Sequence, residues 1–159
     1  MTPESVFSII GMVVLPAWLV LMIVPLILPR WGGSQALAFG IVVPLMSFVY
    51  AAILIKLFAE GNGFDTDSFS SLESVMALLS DPWAALLGWS HYLAFDLFVG
   101  AWMVRDARVS RVPHILIIIP LFLTFMAGPF GLVLYLILRQ LRRKSLVPMP
   151  HPFAERTLV

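Results

Sequence analysis

The sequence predicts an all-α, polytopic membrane protein with four transmembrane helices and a short amphipathic helix between spans two and three. Of its 159 residues, 60% are hydrophobic and 12% are charged, whereas soluble globular chains average about 45–50% apolar and about 25% charged residues. Four segments are long enough to cross a hydrocarbon core of about 30 Å, which requires about 20 helical residues. A soluble fold of this length could not cover so much apolar surface, so the expected solvent is lipid.

The composition excludes several classes of function. The chain has no cysteine and a formal net charge of +1, so disulfides, thiolate chemistry and a nucleic-acid partner are not expected. The opening segment MTPESVFSII has no basic residue and resembles neither a signal peptide nor an Arg-rich transit peptide. We therefore expect an uncleaved first span, one transmembrane domain over residues 1–145, and a C-terminal tail over residues 146–159.

The first two spans are expected at residues 6–28 and 35–59. Pro16 and Pro25 lie inside the first span and predict kinks, which are tolerated because neighbouring helices can pair the freed carbonyls. Lys56 lies near the end of the second span, where its long side chain can extend to the membrane surface.

The third and fourth spans are expected at residues 82–104 and 113–138. Asp81 and Pro82 predict the start of the third span, because an N-cap carboxylate followed by proline is a helix-start signal. The Gly-Pro-Phe-Gly sequence at residues 128–131 interrupts the fourth span and is interpreted as a kink with close helix packing. Asp106, just beyond the third span, is expected in a solvated helix end.

A polar segment separates the second and third spans. Ser70 and Glu73 have the spacing of a capping box, which predicts a helix start. Four apolar residues in this segment fall on one helical face, namely Phe69, Leu72, Met76 and Leu79. A short helix on the membrane surface is favoured over a lid across the bundle.

Four spans would place both termini on the same side of the membrane. The positive-inside rule then favours cytoplasmic termini only weakly, because basic residues flank both ends of the fourth span. Six basic residues would lie inside (Lys56, Arg139, Arg142, Arg143, Lys144 and Arg156) and four outside (Arg30, Arg105, Arg108 and Arg111).

Two ionisable residues, His91 and Asp96, lie inside the third span, in the run GWSHYLAFDLFVGAW. With the span centred on residue 93, Asp96 lies about 4.5 Å past the centre and His91 about 3 Å before it. A carboxylate at this depth costs about 2.5–3.5 kcal/mol on insertion scales, so Asp96 should face the protein interior. Such a residue is a candidate functional site.

The candidate catalytic residues are Asp96, His91 and Tyr92. His91 and Asp96 are five residues apart and do not share a helical face, whereas Tyr92 precedes Asp96 by four residues and does. This spacing fits no metal site, and no cofactor is expected. A structural alternative stays open, in which Asp96 only joins two helices by a hydrogen bond.

The candidate substrate-binding residues are Trp89, Phe95 and Gly100. Gly100 lies on the Asp96 face and lets another backbone or a flat ligand approach closely. Trp89 and Phe95 could line a slot for a flat polyene, although packing against lipid at the membrane surface is the more common role of such aromatic rings.

Two stretches of the chain resemble the abscisic-acid-deficient family of small membrane proteins, whose plant members are required for neoxanthin synthesis. They are FSSLESVMALLSDPWAALLGWSHYLAFDLFVGAWMVRDAR and the later PLFLTFMAGPFGLVLYLILR. The resemblance covers essentially the whole chain. The lack of a transit peptide indicates a bacterial member, which implies the bacterial inner membrane.

The resemblance implies a cofactor-independent isomerase of a carotenoid or related isoprenoid, as in conversion of the epoxide of violaxanthin to the allenic alcohol of neoxanthin. An acid would protonate the epoxide oxygen and a base would remove a polyene proton, inside a dry apolar slot. Asp96 and His91 are the only titratable pair deep in the predicted spans and would act as this pair, with Tyr92 orienting Asp96.

Two alternatives remain. A non-catalytic carotenoid- or lipid-binding partner of another enzyme would retain a polyene without changing it. A small proton or solute carrier is less favoured, because the sequence has no evident inverted repeat. Membrane lipids are expected partners, and small residues in spans three and four leave room for a homodimer.

Overall fold

A computed structural model of the protein describes residues 1–29 and 32–143, so the predicted tail at residues 146–159 lies outside the described residues. The described chain is all-α, and three of its helices are long and apolar enough to cross a membrane. Its helices are α1 (Pro3–Ile27), α2 (Gly33–Ala59), α3 (Leu72–Leu79), α4 (Pro82–Val109), α5 (His114–Ala127) and α6 (Pro129–Arg143). The three long ones are α1, α2 and α4.

Prolines shape the first two long helices. Helix α1 begins with Pro3 after the N-cap Thr2, and it continues through Pro16 and Pro25. Helix α2 widens into a π-helical turn, Ala38–Val42, directly before Pro44. Proline has no N–H and its ring clashes with the carbonyl four residues earlier. The wider turn gives that carbonyl room while keeping the helix continuous.

The predicted start of α4 is confirmed. Asp81 Oδ1 accepts hydrogen bonds from the backbone N–H groups of Trp83 and Ala84, both at 2.9 Å, and Pro82 is the first helical residue. The helix extends to Val109, beyond the predicted end of the span at residue 104. Its 28 residues form the central helix of the bundle.

The short helix between α2 and α4 exists, but its predicted capping box is wrong. Ser71, not Ser70, is the N-cap, and its hydroxyl accepts the N–H of Ser74 at 3.1 Å. Ser70 instead donates to the carbonyl of Asp67, at the end of a 3-10 turn. The apolar face remains exposed, at 76% for Leu72, which supports a position on the membrane surface.

The predicted fourth span is wrong, because the chain reverses direction at Gly128. A Cβ placed on Gly131 would overlap the backbone nitrogen of Thr124 and approach the carbonyl of Pro120, whereas seven and eleven residues along a straight helix would separate them by more than 10 Å. Helices α5 and α6 therefore form an antiparallel hairpin. They have 14 and 15 residues, or about 21 and 22 Å, too short to cross about 30 Å of hydrocarbon.

The hairpin packs against the second half of α4. The hydroxyl of Thr124 donates to the sulfur of Met103 at 3.4 Å, so α5 runs antiparallel to α4 towards the level of Gly128. Helix α6 then returns to the level of Asp106, whose carboxylate accepts a hydrogen bond from the hydroxyl of Tyr135 at 2.5 Å. Because the hairpin enters and leaves on one side, residues 3 and 143 lie on opposite sides of the bundle. The four crossings from which a shared side of the two termini was expected are therefore not made by the described residues, and the C-terminus itself lies outside them.

Asp106 is buried, with 4% of its surface exposed, and the expected solvated helix end is wrong. Its Oδ2 lies 2.6 Å from Nε of Arg139, and Nη2 of Arg139 donates to Oδ1 at 3.3 Å. Arg139 is equally buried. This ion pair joins the end of α6 to the end of α4 and fixes the hairpin in place.

The two ends of the bundle carry opposite charge among the described residues. One end, which we call the acidic face, carries Glu4, Glu60, Asp65, Asp67, Glu73 and Asp81, together with Lys56. The other end, which we call the basic face, carries Arg105, Arg108, Arg111, Arg139, Arg142 and Arg143, together with Asp106.

Candidate functional site

Asp96 lies near the middle of α4 and is 8% exposed. Its carboxyl group faces the tip of the α5–α6 hairpin, where a Cβ on Gly128 would lie 2.9 Å from Oδ1 and 3.3 Å from Oδ2. Oδ2 is fully buried and has no hydrogen-bond partner within residues 1–29 and 32–143. Leaving a buried carboxyl oxygen without a partner costs about 1–3 kcal/mol of stability. A group that forms a hydrogen bond with this atom would remove that cost.

The hairpin tip accommodates the carboxyl group because of two consecutive residues. Gly128 ends α5 with φ of +46°, a region that residues with a Cβ rarely adopt. Pro129 begins α6 and has no N–H that the apolar surroundings would leave unpaired. The N-terminus of α6, with its partial positive charge, therefore comes close to Asp96 in the middle of the bundle.

Tyr92 and Trp89 extend this site along α4 towards the acidic face. Tyr92 is half-buried one helical turn before Asp96, and its hydroxyl lies near the carboxyl group. The ring of Trp89 stacks on Tyr92 with centroids 5.4 Å apart and touches Phe7 of α1 at 5.9 Å. Three of the predicted site residues thus lie on one stripe of α4.

A comparison with protein-family models matches residues 5–135 to the family described as ABA DEFICIENT 4-like. The chain belongs to this family. The match covers α1 to α5, the hairpin tip and Asp96, and it confirms the resemblance found in the sequence. Neither the curated proteins nor the solved structures contain a significant match.

Gly100 permits a close approach in this ABA DEFICIENT 4-like protein, and the group that approaches is the indole ring of Trp18. A Cβ on Gly100 would lie 2.5 Å from the ring, and Trp18 also packs on Phe125 of α5 at 5.5 Å. The Nε1 atom of Trp18 is buried and has no hydrogen-bond partner in the part of the chain that the structure describes. Trp18 thereby joins α1, α4 and the hairpin at one point.

His91 and Phe95 lie on another side of α4, facing α2. Both side chains are exposed; their rings stack at 4.6 Å, and His91 also touches the ring of Tyr50 at 5.7 Å. A small cavity of about 180 Å³ opens beside Phe95 and Ser47. The fold therefore does not bring His91 into contact with Asp96.

The sequence missed Gly128 as part of the site, although its signal was present. The Gly-Pro pair was recognised as an interruption, but the direction of the chain beyond it depends on a backbone dihedral angle that composition does not reveal. No three His, Asp or Glu side chains come together as a metal site within residues 1–29 and 32–143.

Proposed function

We propose that the protein is a cofactor-independent isomerase of a carotenoid or related isoprenoid, with Asp96 as the proton-transferring residue. The observation that carries this proposal is the Asp96 carboxyl group, which is buried at mid-helix with Oδ2 unpaired. A carboxyl group removed from water is neutralised rather than left charged. It can therefore donate a proton to a ligand that brings an oxygen atom to the hairpin tip.

The proposed chemistry needs only a movement of protons. Asp96 protonates the epoxide oxygen as its C–O bond breaks, which leaves an alcohol and a cation delocalised along the polyene. Loss of a polyene proton then forms the allene, and the Asp96 carboxylate can accept that proton and so be regenerated. The product is an isomer of the substrate, and no electrons are gained or lost. The surrounding apolar side chains exclude water, which would otherwise trap the cation.

His91 is a second candidate for the base. Because His91 and Asp96 lie on different sides of α4, they can act together only on a ligand that lies across the helix. If Asp96 acts alone, His91→Phe should retain full conversion, since phenylalanine preserves the ring contacts with Phe95 and Tyr50. If His91 is the base, the same variant should lose conversion by about 10²-fold or more.

The test of Asp96 is the isosteric variant Asp96→Asn, expressed in a host that makes epoxy-carotenoids. Asparagine keeps the shape but cannot exchange the proton, so product should fall by at least about 10²-fold while the folded yield is retained. The control is Asp65→Asn, which removes a carboxylate from an exposed loop and should leave conversion unchanged. Full-rate conversion by Asp96→Asn would refute the proposed role.

The second candidate function is that of a non-catalytic carotenoid-binding partner of another enzyme. It is favoured by the contact of Asp96 with the hairpin tip and by its separation from His91, since a carboxyl group in this position can serve to hold helices together. In that case Asp96→Asn lowers thermal stability, and extracted pigments are identical with and without the protein.

We also propose the bacterial inner membrane as the location. The three apolar helices support a membrane protein of this kind. Membrane fractionation of a bacterial host expressing the tagged chain tests the location, and recovery in the outer-membrane or soluble fraction would contradict it.

A further inference from the structure

The hairpin covers only half of the junction between α1 and α4. On the side of the basic face, Trp18 packs on Gly100, and Nε2 of His114 bonds the carbonyl of Met22 at 3.0 Å. The hairpin ends at Gly128, at the level of Asp96. From there to the acidic face, α1 and α4 have no hairpin between them and the lipid.

The uncovered half forms a groove, which we call the α1–α4 groove. It contains an open pocket of about 490 Å³, and its aromatic walls are exposed to the surrounding lipid, with Phe7 51% and Trp89 42% exposed. The pocket is lined by Pro3, Glu4, Phe7, Ser8, Pro82, Ala85, Leu86 and Trp89. The lining is apolar except for Glu4 and Ser8, which lie at the end next to the acidic face.

One wall of the groove, formed by Pro82, Ala85 and Trp89, lies on the same face of α4 as Asp96. Pro82, Ala85, Trp89, Tyr92 and Asp96 follow one another at alternating intervals of three and four residues, so they form one stripe of the helix. The stripe is about 21 Å long at 1.5 Å per residue. Trp89 forms the inner wall of the pocket and stacks on Tyr92, which lies next to Asp96.

The unpaired oxygen of Asp96 indicates what kind of chain occupies the groove. A phospholipid acyl chain ends in a methyl group, which cannot hydrogen-bond and would leave Oδ2 unsatisfied. An isoprenoid with an oxygen function on its inserted end can fill the groove with its apolar chain and pair with Oδ2. The aromatic surfaces of Trp89 and Phe7 suit a flat polyene better than a saturated chain.

We infer that an oxygen-bearing isoprenoid reaches Asp96 through the α1–α4 groove, from the membrane leaflet on the side of the acidic face. This inference rests on the proposed function, because it assigns the route by which the substrate of Asp96 arrives.

The charge distribution indicates from which membrane leaflet the substrate enters. The basic face carries six arginines and the acidic face only Lys56 among the described residues, so the positive-inside rule makes the basic face cytoplasmic. The groove therefore opens to the non-cytoplasmic leaflet.

The groove is tested by filling it. Ala85→Trp places an indole in the pocket, and Ile119→Trp is the matched control, because Ile119 is 65% exposed on α5, away from the groove. Each protein is purified from the carotenoid-making host, and the bound isoprenoid is measured by mass spectrometry. We expect Ala85→Trp to retain at least about tenfold less, equivalent to 1.4 kcal/mol, and Ile119→Trp to match the parent. Equal retention by both variants, or phospholipid as the only bound lipid of the parent, would overturn the inference.

This experiment separates the groove from the catalytic proposal. If only the catalytic role of Asp96 is wrong, Ala85→Trp still loses bound isoprenoid while Asp96→Asn still forms product. If only the groove is wrong, Ala85→Trp retains both the isoprenoid and its conversion, and Asp96→Asn abolishes product.

The sidedness is tested with single cysteines, since the chain has none of its own. Thr66→Cys lies in the exposed loop of the acidic face, and Arg142→Cys at the exposed end of α6 on the basic face. A membrane-impermeant maleimide should label Thr66→Cys in intact spheroplasts and Arg142→Cys only after lysis. The reverse pattern would refute the assigned leaflet.

Discussion

Loss of the buried ion pair between Asp106 and Arg139 should destabilise the hairpin more than any surface change. Both residues are 4% exposed, and Asp106 also accepts hydrogen bonds from the hydroxyls of Tyr135 and Ser110, at 2.5 and 3.3 Å. In Asp106→Leu the buried guanidinium of Arg139 would lose its ion pair with the carboxylate of Asp106. Breaking a buried pair by removing one partner costs about 3–5 kcal/mol, so we expect a loss of unfolding free energy of this size.

The double variant Asp106→Leu/Arg139→Leu makes the prediction sharper. Replacing a whole buried pair with apolar residues is often neutral, so the main remaining cost is the loss of the hydrogen bond that the hydroxyl of Tyr135 donates to Asp106, at about 1.5–3 kcal/mol for a bond to a charged group. The double variant should therefore be more stable than Asp106→Leu alone, although it carries one more substitution.

The assay is equilibrium unfolding of the purified protein in detergent micelles, followed by tryptophan fluorescence. Trp102 is a local reporter, because its ring touches Tyr135 with centroids 5.8 Å apart. Asp65→Asn is the control and should change stability by no more than about 0.5 kcal/mol. The reasoning would be refuted if Asp106→Leu loses no more unfolding free energy than this control. It would also be refuted if the loss in the double variant equals the sum of the losses in Asp106→Leu and Arg139→Leu.

Three further predictions concern the ends of helices and one loop. Arg111 has φ of +54°, so Arg111→Gly should raise the free energy of unfolding by about 1 kcal/mol, measured in the same micelle assay; a decrease would contradict this. Asp81→Ala removes the N-cap of α4 and should cost about 1 kcal/mol, visible as a lower unfolding midpoint, whereas an unchanged midpoint would contradict it. Hydrogen bonds from the hydroxyl and N–H of Ser68 hold the pKa of Asp65 below its ordinary value. The folded loop is therefore stabilised above pH about 4 and loses this support as the pH falls through the lowered pKa; hydrogen exchange of the loop amides should accelerate there, and a pH-independent rate would refute it.

The sequence predicted the long helices well because their signals are local. Asp81 and Pro82 mark the start of α4 through backbone hydrogen bonding alone, and that prediction is confirmed. The position of Asp96 followed from its cost in lipid, which does not depend on the rest of the fold. Neither prediction required knowledge of how distant parts of the chain pack together.

The hairpin could not be predicted in this way, because the hydropathy of a segment does not show whether the chain continues straight or reverses. Residues 113–138 have the same composition whether the helix crosses the membrane or turns back at Gly128. One signal was available, since Arg111 and Arg139 lie at opposite ends of this segment. Under the positive-inside rule, arginines at both ends favour a segment that returns to the side from which it started. Recognising this would also have removed the ambiguity of orientation.

The half-depth hairpin also bears on how the protein is assembled during synthesis. Between Ile115 and Leu138 the chain carries no charged side chain, and its tip carries no polar loop to the far side. These two helices can therefore enter the bilayer from the side of the basic face without carrying a polar segment across it. The Asp106–Arg139 ion pair joins α6 to α4 and can form only after both helices have entered.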